Sequence, residues 1–442
     1  MPLSRLKHAQ TGGWRAFHAF CGIRRLSPLC ALLTLLYAPN GYAQTGGWRA
    51  FRAFCGIRCL SPLCALLIVL FAVTGSAQNT TFEDNPAVAL ANDKLDLRLM
   101  IKGSTLASIV LKDDPEKLNP LWNPMRMARE LGRTAQYGGG AGIFVCVDGF
   151  GPVSPEEKAA GLPGHGEAHS QMFSVQAKRD GKIASVTMRA DLPIVHETFT
   201  RTFQIADGEN VISVDSELEN QLGFDRPVNW AEHATIGSPF LASGETVVDL
   251  SGSRSRTRPY DQPMNGPSIR RLPPDKDFTW PIAPGLHGES IDLRETPENA
   301  HYLDHATTLM DLDRELEWAT ALNRKKRLLI GYIFRRTEYP WLQYWGNYPP
   351  TGKFSRGMEF GTQPFDVPRR EAIGMGTLFG TSTYRWLPAK SKITTRFVVF
   401  YTRVPDGLQK VDDVRIENGE IVIEDRAARK EVRLAATVHL QP

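Results

Sequence analysis

The stretch VISVDSELE, residues 211–219, shows the pattern that decides the fold. Apolar residues such as Ile212 and Val214 stand at every second position, and charged residues such as Asp215 and Glu217 stand between them. Because successive side chains of a strand point to opposite faces, this alternation predicts a strand with one buried and one solvated face.

Similar segments recur along most of the chain after about residue 78. Residues 182–190 alternate in the same way, and residues 396–401 form a short apolar run typical of a buried strand. Asn418-Gly419 stands between two alternating segments, as a tight hairpin turn requires. Many short segments separated by Gly, Pro, Asn and Asp predict an all-β protein built from antiparallel strands, with few short helices.

Helix signals are sparse. Ser154 is followed by Pro155 and then by Glu157, which is the pattern of a capped helix start, and Gly161 ends that segment. Residues 311–322 have a helical composition but stand among strands, so their state stays open at this point.

Two regions rich in Pro, Gly and aromatic residues, 254–284 and 339–368, are interpreted as long loops over one face of the sheets. Sites are often built on ordered loops of a rigid scaffold. The functional residues are therefore expected on or near these regions.

Charge is distributed unevenly along the chain. Eight of the 52 Lys and Arg residues, and none of the 48 Asp and Glu residues, lie in residues 1–77, so the remainder is mildly acidic. A nucleic-acid-binding protein needs a basic surface, and no Lys- or Arg-rich run after residue 77 supplies one. No nucleic-acid partner is expected.

Cysteine is equally uneven, because Cys146 is the only one of six that lies after residue 77. This excludes a disulfide framework or a Cys-type zinc site in the remainder. The period-two spacing of His165, Glu167 and His169 would suit metal ligands on one face of a strand, but the flanking glycines and proline favour a turn. We predict no metal and no organic cofactor.

Residues 1–77 form a duplicated leader, since residues 9–42 recur almost unchanged as 43–76. Each copy has a basic stretch, a short apolar core and a small-residue end, the layout of a secretory signal. Both cores are shorter than a membrane span needs, which favours cleavage over anchoring and predicts no stable membrane span in the mature form. A start codon called too far upstream is the alternative. Either way the protein is expected to be exported, to the periplasm or the extracellular space.

Three segments place ionisable or aromatic side chains among Gly and Pro, where a core residue has little reason to be. They are LPGHGEAH (162–169), NWAEHATIGSPF (229–240) and RGMEFGTQPF (356–365). Taken in this order, they resemble the motifs of the galactose mutarotase (aldose 1-epimerase) superfamily, and the resemblance covers roughly residues 95–404. It implies that residues 78–442 fold as one large antiparallel β-supersandwich.

The resemblance also implies an activity and the residues that carry it. An aldose 1-epimerase-like isomerase interconverts sugar anomers and binds an aldose or the end of a glycan. By motif, the family's general-acid histidine corresponds to His233, its general-base glutamate to Glu359 and its second sugar-contacting histidine to His165. The sequence departs from the family at Ala234 and Phe360, where the family commonly has Pro, and the family's substrate-binding Asp and Arg have no assigned counterpart.

The chemistry itself requires such a pair. Opening a cyclic hemiacetal needs one group to take a proton from the anomeric hydroxyl and another to give a proton to the ring oxygen. A histidine with a pKa near 6.5 and a glutamate raised by partial burial from about 4.3 exchange protons without a large uphill step. Aromatic rings pack against the apolar face of a pyranose. The expected substrate-contacting residues, chosen by proximity to the motifs, are Trp230, His169, Trp345, Phe360 and Glu167.

Two other function classes stay open. A non-catalytic carbohydrate-binding protein would keep the aromatic surface without needing both His233 and Glu359, because a fold does not fix a function. A glycoside hydrolase or lyase is the third class. Hydrolysis would require a second carboxylate beside Glu359, for which Glu232 and Asp366 are the available residues.

Overall fold

The computed structural model describes residues 78–259, 270–298, 301–437 and 440, and all structural statements below refer to these residues. Two large antiparallel sheets contain most of their strands, numbered here in chain order. The first sheet has thirteen strands. In spatial order they are β1 (Gln78–Phe82), β2 (Asn85–Ala91), β3 (Leu95–Met100), β4 (Thr105–Leu111), β5 (Ile143–Val147), β11 (Trp230–Gly237), β21 (Ser355–Gly361), β20 (Trp341–Tyr348), β17 (Tyr302–Met310), β13 (Gly252–Thr257), β14 (Asp277–Thr279), β15 (Ile282–Pro284) and β16 (Ser290–Asp292).

The second sheet has eight strands, and a third has three. The second runs in the order β12 (Thr246–Leu250), β18 (Leu316–Asn323), β19 (Leu328–Arg335), β25 (Lys392–Arg403), β9 (Val211–Asn220), β8 (Glu197–Ala206), β7 (Ile183–Leu192) and β6 (Ser174–Asp180). The third consists of β26 (Asp413–Glu417), β27 (Glu420–Asp425) and β28 (Lys430–Ala435). Two short pairs are β10 (Arg226–Val228) with β24 (Arg385–Leu387), and β22 (Thr377–Leu378) with β23 (Thr381–Ser382).

Helices are few and short in the described residues, as predicted. They are α1 (Pro124–Glu130), α2 (Pro155–Ala159), α3 (Arg369–Met375) and a 3₁₀ turn at Ala168–Ser170. The predicted cap of α2 is present, because the Ser154 hydroxyl accepts from the Glu157 N–H at 3.2 Å and the Glu157 carboxylate accepts from the Ser154 N–H at 2.8 Å. None of these helices is long and apolar enough to span a bilayer.

The two large sheets pack face to face around one hydrophobic core. Phe360 of β21 stacks on Phe334 of β19 with ring centroids 4.4 Å apart, and it also meets Phe397 of β25 at 5.2 Å. A buried aromatic or aliphatic side chain of this size contributes about 1.5–3 kcal/mol relative to leaving it exposed. The prediction of an all-β sandwich is therefore confirmed.

Part of the second sheet is covered on its outer face as well. Leu329 and Ile333 of β19 join a separate core cluster that includes Ile421 and Ile423 of the three-stranded sheet. Burial on both faces explains why β19 reads LLIGYIF, a continuous apolar run with no alternation.

Most strands that were predicted from alternation are present. Residues 182–190, 211–219 and 396–401 lie in or almost wholly within β7, β9 and β25. The hairpin at Asn418-Gly419 joins β26 to β27, with both residues at positive φ (52° and 78°), as a two-residue turn between twisted strands requires.

Two sequence interpretations need correction. Residues 339–368 are not a long loop, because β20 and β21 form a hairpin within them. Residues 254–284 contain most of β13 and all of β14 and β15, and residues 260–269 lie outside the described residues. The ambiguous segment 311–322 lies largely in strand β18 and is not helical. The duplicated leader, residues 1–77, also lies outside the described residues, so its prediction stays a prediction.

Candidate active site

A row of side chains crosses five neighbouring strands on the outer face of the first sheet. Phe144 of β5 stands opposite His233 of β11, and Gln343 of β20 stands opposite both Glu359 of β21 and Thr307 of β17. The register between β11 and β21 places His233 opposite Glu359. We call these five residues the cross-strand row.

An open cleft of about 530 Å³ lies over Phe144, His233 and Glu359 of this row. This volume is typical of sites that take a small molecule. The described residues that line the cleft are Trp122, Pro124, Gln136, Gly138, Gly140, Phe144, His165, His169, His233, His305, Trp345, Glu359 and Asp366.

His233 and Glu359 meet at the floor of the cleft, with Nε2 3.2 Å from Oε1. The His233 ring stacks on Phe144 at 4.2 Å, and its Nδ1 lies 2.8 Å from the Thr235 hydroxyl, which fixes the ring so that Nε2 faces the glutamate. Glu359 Oε1 is buried and has no aligned hydrogen-bond partner among the described residues. A buried carboxylate oxygen left in this state is suited to a ligand hydroxyl.

Burial dominates the protonation of both groups. It lowers the pKa of His233 well below its usual value, and the nearby His165 lowers it further. Burial also raises the pKa of Glu359 well above its usual value, with a further contribution from the negative charge of Asp366. Both shifts favour the uncharged form of each residue, so the ordinary preference for a glutamate anion beside a histidine cation is weakened.

Gly357 is required by the position of the Glu359 carboxylate. A Cβ at residue 357 would stand 2.1 Å from Glu359 Oε1, because both residues project from the same face of β21. We therefore expect Gly357→Ala to displace the carboxylate and to slow the activity proposed below by about 10²-fold, the effect of a misplacement of about 1 Å.

The matched control is Gly223→Ala, where an added Cβ would meet no atom of the described residues within 4 Å. Steady-state rates of both variants, with their thermal midpoints, check the prediction. An unchanged rate in Gly357→Ala would show that the position of the Glu359 carboxylate does not matter.

His165 and His169 form the wall of the cleft next to His233. His165 adopts a positive φ of 65° and precedes Gly166 at 79°, so this segment is the turn that the glycines predicted. Its Nδ1 accepts the Gly151 N–H at 3.3 Å, and its ring centroid lies 5.4 Å from that of His233. Burial lowers the pKa of His165, and burial together with His165 lowers that of His169 to about 4, so both rings are neutral at pH 7.

Trp345, one of the expected substrate contacts, also lines the cleft. Its ring lies 6.0 Å from His233 and 6.2 Å from Trp122, edge to face in both cases. The two tryptophans provide an apolar wall beside the acid–base pair. Trp122 belongs to none of the three motifs, and no local pattern around it predicts a place in the cleft.

Three predicted substrate contacts lie elsewhere, and we do not retain them. Glu167 is fully buried, and its carboxylate accepts the N–H groups of Ile194 and Val195 at 2.9 and 3.2 Å, so it holds a loop in place. Trp230 and Phe360 point into the core between the sheets. Trp230 lies three positions before His233 on β11, and Phe360 lies one position after Glu359 on β21. Because side chains alternate between the two faces of a strand, residues an odd number of positions apart lie on opposite faces.

A second polar group, absent from the predicted site, lies in the same cleft. His305 Nδ1 lies 3.1 Å from Asp366 Oδ1, and the Arg258 Nε lies 2.6 Å from the same oxygen. His305 Nε2 lies 2.8 Å from Gln343 Oε1. Burial opposes ionisation of Asp366, but His305 and Arg258 outweigh it and lower its pKa, so Asp366 is a carboxylate at neutral pH. In the sequence, Asp366 stands one residue beyond the third motif, whereas His305 belongs to no motif.

Comparison with known proteins supports the fold. No protein-family model matches the chain, and no curated protein matches it. Among solved structures, it is similar to a galactose mutarotase-like protein from Clostridium acetobutylicum at 13% identity, a TM-score of 0.51, and coverage of 74% of this chain and 98% of that one. It is also similar to the Slr1438 protein from Synechocystis sp. PCC 6803, at 12% identity, a TM-score of 0.50, and coverage of 74% and 99%. The chain therefore has the galactose mutarotase-like fold.

Proposed function

We propose that the protein interconverts the anomers of an aldose, with His233 as general acid and Glu359 as general base. The observation that carries this proposal is the contact between the two groups at the floor of an open cleft, 3.2 Å apart, on adjacent strands of the sheet. In a pyranose, the anomeric hydroxyl and the ring oxygen are bonded to the same carbon. Two proton-exchanging groups that act on both atoms must therefore stand side by side.

Ring opening moves one proton in each direction. The Glu359 carboxylate accepts the proton of the anomeric hydroxyl, while His233 Nε2–H donates a proton to the ring oxygen as its bond to the anomeric carbon breaks. The pair has the same number of protons before and after this step, and it ends uncharged. Rotation of the open-chain aldehyde, followed by the reverse transfers, closes the ring on the other face and restores the charged pair.

The pKa shifts support this exchange. Burial raises the pKa of Glu359 and lowers that of His233, which brings the charged and uncharged forms of the pair closer in free energy. Proton transfer from the sugar to Glu359 and from His233 to the sugar, and the reverse transfers, then require little free energy. Thr235 beside Nδ1 keeps Nε2 as the reactive nitrogen.

A second candidate function, glycoside hydrolysis, has one observation in its favour. The pKa of Glu359 is raised and that of Asp366 is lowered, and a hydrolase needs one protonated and one ionised carboxyl group. Glu232, the other carboxylate considered from the sequence, is unsuitable because it is fully buried and pairs with Arg201 at 2.5 Å. Release of reducing sugar from a glycan would favour hydrolysis.

The test uses purified protein and a panel of aldohexoses and aldopentoses. Anomer exchange is followed by NMR magnetisation transfer or by polarimetry of freshly dissolved single anomers. We expect acceleration for at least one sugar of the panel. Binding without acceleration across the panel would favour a non-catalytic carbohydrate-binding protein. Export of the protein, proposed from the leader, is tested separately by cell fractionation.

A further inference from the structure

We propose that two copies of this chain form a symmetric dimer through an apolar groove between α2, α3 and β10, which is flanked by the exposed rings of Phe224 and Trp386. The groove is separate from the cleft of the candidate active site. This inference goes beyond the proposed function and does not rest on it.

The groove is a large depression with a mainly apolar lining. Its volume is about 670 Å³, and its apolar part includes Leu162, Ile194, Leu222, Phe224 and Ile373. Ile194 and Phe224 are 39% and 60% exposed. Apolar side chains gathered in one exposed patch mark a site of contact with another molecule, whereas single exposed ones are ordinary. The groove is therefore a candidate interface.

Trp386 extends this patch beyond the groove. It stands opposite Pro227 in the antiparallel β10–β24 pair, and Pro227 lines the groove. Because directly opposite side chains project from the same face of a ladder, Trp386 lies beside the groove. It is 56% exposed, and the ring of Tyr384 meets its ring edge to face at 5.7 Å. Phe224 and Trp386 are the two exposed aromatic residues of the part of the chain that the structure describes. We call the groove lining, Tyr384 and Trp386 together the aromatic face.

The backbone that carries the two exposed rings is held by one buried side chain. The Asn220 amide donates to the Phe224 carbonyl at 3.0 Å and to the Pro388 carbonyl at 3.1 Å, and Asn220 is 1% exposed. Pro388 stands two positions after Trp386. Two segments that are distant in the sequence are thereby tied together. Aromatic anchors whose backbone is fixed before a partner arrives lose less freedom on binding, which favours association.

The residue types of the groove favour a protein as the partner. Its lining contains Arg226, Arg369 and Arg370, and no lysine. Aromatic residues and arginine are enriched where proteins contact one another, whereas lysine is depleted there. The aromatic face has both features.

The charges of the groove are balanced, which favours a second copy of the same face. The three arginines pair with three carboxylates: Arg226 and Arg369 with Asp148, Arg369 also with Glu157, and Arg370 with Glu156. Glu197 also lies near Arg226, but burial raises its pKa well above its usual value and favours its uncharged form. A balanced face offers no attraction to a partner with a large net charge of either sign.

Glu156 and Arg370 make this balance accessible to a partner. Their side chains are 70% and 58% exposed, and they pair at 2.8 Å between α2 and α3. In a twofold contact a surface meets the same surface of the other copy, so each copy presents a negative and a positive side chain to the other. The contact therefore brings opposite charges together without a surplus of either sign.

The aromatic face does not include the cleft. Among the described residues, none lines both the groove and the cleft. The two are neighbours along the chain, since Leu162 of the groove stands three positions before His165 of the cleft, and Arg369 stands three positions after Asp366. A partner seated in the groove therefore need not cover any residue of the cleft lining.

The first test measures association of the purified protein by sedimentation equilibrium over a range of concentrations. We expect a mass of twice the single chain, which falls to the mass of one chain on dilution. Phe224→Ser and Trp386→Ser should each raise the dissociation constant by about 30-fold or more, the effect of losing a residue that dominates an interface. The matched control is Leu312→Ser, because Leu312 is 58% exposed and does not line the groove. It should leave the dissociation constant unchanged.

The second test asks whether the aromatic face meets its own copy. Glu156→Arg makes the face net positive, and Arg370→Glu makes it net negative. Each variant alone should associate about 10-fold more weakly or worse than the native protein, because like-charged faces meet in its dimer. An equimolar mixture of the two variants should associate more strongly than either variant alone, because the two faces are then oppositely charged.

Three results would overturn the inference. A single-chain mass at every concentration would leave the groove to a different protein or to a ligand. A dimer whose dissociation constant is unchanged in both serine variants would form through another surface. A mixture of the charge variants that associates no more strongly than its components would show that the aromatic face does not meet itself, which contradicts the twofold symmetry.

Discussion

Replacing Glu359 with glutamine is expected to slow anomer exchange by about 10²–10⁴-fold, the range for loss of a general acid or base. Glutamine has nearly the same shape as the glutamate, but it cannot accept the proton of the anomeric hydroxyl. Burial raises the pKa of Glu359, so its surroundings favour an uncharged group, and an amide should fold into the site without strain. The exchange rate, measured by NMR magnetisation transfer, should fall while affinity for the sugar changes little.

The matched control for this variant is Glu317→Gln. Glu317 is also fully buried, burial raises its pKa to about 8, and its carboxylate accepts from the Ser251 hydroxyl, away from the cleft. Its replacement should leave the exchange rate unchanged. Full activity in Glu359→Gln would remove this residue from the mechanism. An equal loss of activity in both variants would instead point to a general effect on folding.

The second large effect is expected in the core behind the active site. Arg201 of β8 and Glu232 of β11 form a fully buried ion pair at 2.5 Å, and Glu232 Oε1 also accepts from Trp230 and Tyr339, each at 3.2 Å. Removing one partner of such a pair leaves the other without compensation. We therefore expect Arg201→Met to reduce the free energy of unfolding by about 3–5 kcal/mol, measured by urea denaturation.

A double variant tests the cause of that loss. Arg201→Met combined with Glu232→Leu replaces both charges with apolar groups, and such replacements are often neutral or stabilising, so most of the stability should return. Arg433→Met, which removes a surface pairing with Glu420, should change the denaturation midpoint far less. A double variant no more stable than Arg201→Met would show that packing, not the unpaired carboxylate, causes the loss.

The alternation of apolar and polar residues predicted the strands that have one buried and one solvated face. It worked best for β7 and β9, which lie in a sheet with one face turned towards the core, and for the turn at Asn418-Gly419, where the residue types match the required φ. The cap of α2 was equally predictable, since its hydrogen bonds join residues only three positions apart.

The hairpin β20–β21 was wrongly interpreted as a loop, and its glycines are the reason. Glycine weakens a strand locally, yet Gly357 lies under the Glu359 carboxylate and Gly361 packs against Ala231, where a Cβ would meet a neighbour within 3 Å. In this hairpin, glycine marks close approach of other groups. A single sequence does not distinguish that from a turn.

The site residues that belong to a sequence motif could be predicted, and the others could not. The order of the three segments identified His233 and Glu359, which the structure brings together. His305 and Asp366 meet across 61 positions of the chain without any local signature, so only the folded sheet reveals them. The choice of Trp230 and Phe360 as substrate contacts, made from their proximity to His233 and Glu359 in the sequence, was wrong. Adjacent residues of a strand point to opposite faces of the sheet.

The cross-strand row suggests how this protein could be re-engineered. The spacing of His233 and Glu359 is set by the hydrogen-bonded ladder between β11 and β21, a rigid part of the sheet. Trp122 and Gln136, in contrast, reach the cleft from connecting segments. A library that varies only those segments should yield new sugar preferences at an undiminished catalytic step, so selectivity and reactivity can be tuned one at a time.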